Sequence, residues 1–197
     1  MRSPTDSEIG RDRYTKHNQE GIYMREQILN EVEQKGFKNE QEYWDCAQCT
    51  LLAIQDVFGL KADDAVKAAT GFAGGIGRRG SVCGAVTGGV MALGLFFGRD
   101  LPTMKHPDPE LRHKMREQIE MRLVPLIDTF CNRFEAEYGS ILCNEIEHKL
   151  FGRYFDKRNP EDRKEKNRLG GHTEKCPMVV GKAARWATEL ILAEQSK

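Results

Sequence analysis

Apolar residues recur at helical spacing through almost the whole chain, and no segment shows the alternation of a half-buried strand. From Gln19 to Lys35, Met24, Ile28, Leu29 and Val32 form a narrow stripe among charges, and Gly36 is the expected stop. Asn39, with Glu42 three residues later, resembles an N-cap pair opening a second helix. Its apolar face is Tyr43, Ala47, Leu51, Ile54 and Phe58, and Gly59 ends it. A shorter helix is predicted over Asp63–Thr70, followed by a loop dense in glycine: Gly71, Gly74, Gly75, Gly77 and Gly80. Glycine lacks the side chain that keeps a backbone at a distance, so this loop suggests a close approach.

Ser81 is placed to cap a helix over Val82–Phe97, an almost wholly apolar run broken by Gly84, Gly88 and Gly89. Such a helix belongs at the centre, with another backbone packed on its glycines. After a turn over Pro102–Pro109, a long pattern runs from Glu110 to Tyr138, with a kink expected at Pro125. Ser140 is the expected cap of a short helix carrying Cys143 in its first turn. Arg153–Arg168, a mixed-charge stretch around Pro160, reads as a solvated loop or exposed helix. A last helix follows Cys176–Pro177, with Val179, Val180, Ala183, Trp186, Ala187, Leu190 and Ile191 facing inward. The fold class is all-α: a single-domain bundle of six to seven helices over 19–194, after a polar N-terminal tail over 1–18 that is expected to fray.

Composition narrows the function. The 197 residues suit one domain with a sizeable core. Thirty basic and 30 acidic side chains cancel, so there is no cationic excess to favour nucleic acid as a partner. No apolar run is long enough to span a bilayer, and the N-terminus lacks a signal-peptide core, which points to the cytoplasm. Reducing conditions there make the six cysteines ligands, redox groups or core residues rather than structural disulfides.

Three cysteines stand at predicted helix starts: Cys83 after Ser81, Cys143 after Ser140, and Cys176 before Pro177. The unpaired amides and positive dipole end of a helix favour a thiolate or an anionic cluster. Cys46 completes a set of four, and Cys49, one turn along, is a spare or fifth ligand. Four thiolates are the usual complement of a [2Fe-2S] or [4Fe-4S] iron–sulfur cluster. Gly74, Gly75, Gly77 and Gly84 are candidate cofactor-binding positions, through backbone amides near the sulfides. Cys131, in the long helix, reads as a core thiol.

The pieces D-C-A-Q (45–48), A-T-G-F-A-G-G-I-G-R (69–78), V-C-G-A-V-T-G (82–88), L-C-N-E (142–145) and K-C-P (175–177) resemble the C_GCAxxG_C_C family of redox-active proteins. On that resemblance the family's four cysteines fall on Cys46, Cys83, Cys143 and Cys176. A similar domain occurs in split-Soret cytochromes c, which implies an iron–sulfur site in a helical homodimer that exchanges electrons with a partner protein. A c-type haem needs C-x-x-C-H, but Thr50 follows Cys46-Ala-Gln-Cys49, so no haem is expected.

Other readings remain open. Cys46 and Cys49 have the spacing of a thiol–disulfide redox pair, although the pattern from Asn39 places Cys46 inside a helix. His172, four residues before Cys176, has a spacing admissible for structural zinc, although a solvent-exposed histidine in a polar loop accounts for it as well. The Val82–Phe97 helix alone would suit a helical interaction module. The loop with Arg78 and Arg79 has a weak likeness to a phosphate-binding turn.

Overall fold

The structure is a computed structural model that describes the backbone of residues 6–197 and the side chains of residues 21–197. The expectation of a frayed N-terminal tail falls largely outside the described side chains. Nine helices follow one another among the described residues: α1 (Asp6–Tyr43), α2 (Cys46–Phe58), α3 (Asp63–Ala69), α4 (Gly84–Phe97), α5 (Leu101–Met104), α6 (Pro109–Tyr138), α7 (Cys143–Phe151), α8 (Pro160–Arg168) and α9 (Cys176–Gln195). No strand occurs among them; one isolated antiparallel bridge joins Val82 to Leu142. None of these helices is long and apolar enough to cross a membrane.

Gly36 does not stop a helix. α1 continues to Tyr43 because Gly36 lies where α1 crosses α9, and a Cβ there would stand 3.2 Å from both Ala184 Cβ and the Val180 carbonyl oxygen. Gly181 answers it from α9, where a Cβ would come within 2.8 Å of the Glu33 carbonyl oxygen. Small residues on both helices let the two backbones approach, which outweighs the helix propensity lost. The break comes at Trp44, whose φ of 60° is left-handed. Asp45 then caps α2, its carboxylate accepting from the Gln48 amide at 3.2 Å. Asn39 and Glu42 therefore lie inside α1, Tyr43 is an exposed residue of α1, and Cys46 is the first residue of α2 rather than an interior one.

The other expected caps are also displaced. Cys83 occupies the N-cap position of α4 without a side-chain cap bond, and the Ser81 carbonyl accepts from the Cys143 amide at 2.7 Å. Ser140 accepts from the Leu142 amide at 3.0 Å, and Leu142 is the residue that precedes α7. The expected turn over Pro102–Pro109 begins inside the single helical turn α5, which starts at Leu101 and is capped by Asp100.

α4 is central, packed against α2, α6 and α9. Ala85, Val86, Ala92, Leu93 and Phe97 are buried along it. A Cβ on Gly88 would sit 2.5 Å from the Ala47 carbonyl oxygen of α2, and one on Gly89 would sit 2.3 Å from the Phe130 ring of α6. Gly88→Ala is therefore expected to destabilise the protein although alanine is the better helix former. The propensity gain of about 1 kcal/mol is set against overpacking of about 1–3 kcal/mol, aggravated here because the obstacle is backbone. A urea midpoint above that of the parent protein would show that α2 and α4 have room to spare.

Candidate functional site

Each of the four family-pattern cysteines stands at the start of a different helix. Cys46, Cys143 and Cys176 are the first residues of α2, α7 and α9, and Cys83 immediately precedes α4. Two are brought side by side by the bridge. The Cys83 amide donates to the Ile141 carbonyl at 2.9 Å, and the Asn144 amide donates to the Gly80 carbonyl at 3.1 Å. All four line one cavity of about 880 Å³.

The thiols interact within it. The neighbouring Cys143 and then Cys46, with burial after them, push the Cys83 thiol well up. Cys143 shifts the other way: the thiol bond from Cys83 lowers it against the cost of burial, and Lys157 and Lys166 assist. Burial pushes Cys176 up to about 12, with Lys166 opposing. Among the described residues, no group of three or more His, Cys, Asp or Glu side chains forms a site for a metal ion as it stands.

Gly84 has a steric role. A Cβ there would lie 2.2 Å from Cys46 Sγ, so the residue after Cys83 must be bare for the sulfur of α2 to enter. The Gly77 amide donates to the Gly71 carbonyl at 2.8 Å, and the amides of Arg78, Gly80 and Ser81 are likewise bonded within the loop.

Beneath the thiols lies a charged cluster that the sequence reading placed in a solvated stretch. Glu147, 2 % exposed, receives Lys157 on Oε2 and Lys166 on Oε1, both at 2.7 Å. Lys157 also donates to Asn144 Oδ1 at 2.7 Å. Burial works against the Lys166 ammonium, but the charges of Cys176, Glu147 and Cys143 outweigh it and hold it well above its ordinary value. Two ammoniums against one carboxylate leave a positive surplus beside the sulfurs. Glu147 carried a faint signal, since it follows Cys143 at i+4 and so shares its helix face; the lysines carried none.

His172 is not a surface residue. Its Nδ1 lies 2.8 Å from Oε1 of the buried Glu40, its ring stacks on Trp44 at 5.0 Å, and all three residues line the cavity. It precedes α9 in a turn of π-helix, Gly171–Lys175. Cys49 is 1 % exposed, does not line the cavity, and is pushed well up by burial and then by the charge of Glu40, which keeps it a thiol. Cys131, half-buried on α6, also lies outside the cavity and is raised by burial and Asp128.

No curated protein and no solved structure shows a match to this chain. The family described as "Putative redox-active protein (C_GCAxxG_C_C)" matches it over residues 44–190, from the break before α2 almost to the end of α9. That span holds all four cavity thiols, and the protein belongs to the C_GCAxxG_C_C family.

Proposed function

We propose that Cys46, Cys83, Cys143 and Cys176 hold an iron–sulfur cluster and that the protein carries electrons as a carrier or redox accessory. The supporting observation is the convergence of four helix-start thiols on one cavity backed by surplus buried positive charge. Membership of a redox-active family supports the same reading.

The donor set fits the group. Four cysteines supply the usual ligand count, Gly84 clears space at Cys46, and the lysine pair offsets the negative charge of metal-bound thiolates. When bound, a cluster supplies reversible one-electron chemistry. Lys157 and Lys166, held by Glu147, would lower the cost of added negative charge at a bound cluster and so favour its reduced form. Helix dipoles from α2, α7 and α9 act in the same direction.

The thiol–disulfide alternative is weaker on two counts. Placing Cys46 at a helix start gives it the environment such chemistry uses, but Cys49 is buried and held protonated beside Glu40. Structural zinc through His172 competes with the bond from its Nδ1 to Glu40. Anaerobic purification with metal and sulfide analysis separates these readings. The expected protein is brown, carries iron and acid-labile sulfide in equal amounts at about two or about four per chain, and bleaches reversibly with dithionite. A colourless protein with zinc, or with iron and no sulfide, would overturn the proposal.

A further inference from the structure

The cavity is far larger than its thiols need. A cluster built on metal–sulfur bonds of ~2.3 Å occupies on the order of 100 Å³, whereas the cavity measures about 880 Å³. Volumes of roughly 300–1,000 Å³ are those of small-molecule sites.

Its outer wall is also built differently from the thiol end. Arg78, Arg163 and Lys164 line it, and none of the three enters an ion pair among the described residues. The lysines at the thiol end, by contrast, are clamped on Glu147. Three non-glycine residues in the described chain have positive φ, and two of them, Trp44 (60°) and Arg78 (66°), line this one cavity. Such a conformation costs on the order of 1–3 kcal/mol at each residue and survives where the surroundings require it. Burial raises the Asp45 carboxyl, the Gln48 amide opposes that most, and Asp45 and Arg78 both line the cavity. Trp44 is 57 % exposed and stacked flat on His172, whose Nδ1 is held by Glu40. The cavity wall therefore holds a stacked aromatic pair and three cations that enter no ion pair among the described residues, with the Asp45 and Glu40 carboxyls also lining it.

We propose that the outer part of the cavity binds a small planar organic anion, its carboxylate or phosphate on Arg78, Arg163 and Lys164 and its ring against the Trp44–His172 pair. The guanidinium forks suit the oxygens of such a group, and tryptophan is the better aromatic partner for a flat ring. The proposal rests on the cluster reading only in assigning the inner end of the cavity to the metal.

The test is titration of the full chain, purified without oxygen, with 4-nitrobenzoate, 4-nitrophenyl phosphate and the neutral 4-nitrobenzyl alcohol. Binding is followed by calorimetry and by quenching of tryptophan fluorescence. At least one anion is expected to saturate at one site, with the alcohol about tenfold weaker or worse. Arg78→Asn, a residue that tolerates the left-handed backbone, should weaken the anion by about tenfold. Arg163→Gln with Lys164→Gln should do the same, and iron content should stay unchanged in each variant. Unsaturable quenching, equal affinity for acid and alcohol, or parental affinity in both variants would overturn the proposal. Iron and sulfide measured on the same samples keep the two ideas apart. Saturable anion binding by iron-free protein sinks the cluster alone; a full cluster without anion binding sinks this site alone.

Discussion

Cys46→Ser is expected to lose most of the bound iron, about tenfold or more relative to the parent protein, while Cys49→Ser retains it. The two residues are one helical turn apart, yet their surroundings are opposed. Cys46 lines the cavity, its sulfur in the space that Gly84 leaves open. Cys49 is sealed in the core, raised by burial and by Glu40. A serine hydroxyl binds iron far less well than a thiolate, so the loss at Cys46 follows from ligand chemistry. At Cys49, outside the cavity, serine removes no ligand. Iron and sulfide analysis of both variants, prepared together without oxygen, reads the outcome. Equal retention would remove Cys46 from the ligand set; equal loss would bring Cys49 into it.

The second large effect is on stability. Glu147→Gln keeps size and shape but leaves the Lys157 and Lys166 ammoniums buried without a counter-charge. Breaking one side of a buried ion pair costs about 3–5 kcal/mol. In a chain of this length that corresponds to a melting-point loss of roughly 6–20 °C. The measurement belongs on metal-free protein, where no cluster charge can stand in for the glutamate. A loss under about 1 kcal/mol would mean that water reaches the triad and screens it.

The parts of the site legible in the sequence were those set by local chemistry. Thiols near helix starts can be recognised from proline, small residues and the onset of apolar periodicity, and Cys143 and Cys176 both open helices as expected. The chain after Asp63 likewise follows its periodicity closely. Errors arose where a distant segment decides. Gly36 reads as a stop by propensity, but Gly181, far along the chain, makes it a crossing point inside α1. The run around Lys157 and Lys166 is indistinguishable by composition from a solvated face, and only direct pairing with Glu147 of α7 explains why both lysines are buried. His172 reads as exposed in sequence because Glu40 and Trp44, its partners, lie on and just after α1. Pairings of this kind have no local signature, since neither member needs an unusual neighbour in sequence.

The place of Cys176 at the head of the final helix has a consequence for the order of synthesis. A ribosome extending the chain at about 5–20 residues per second releases Cys46 many seconds before Cys176. Cys83 and Cys143 join Cys46 in turn during that interval without the wall that α9 provides, and the glycine-faced crossing of α1 by α9 has not formed. The helix that delivers the fourth sulfur is also the one that pairs the two ends of the fold. The pocket is therefore completed only once α9 has been made, and the full set of four sulfurs is offered only from then on.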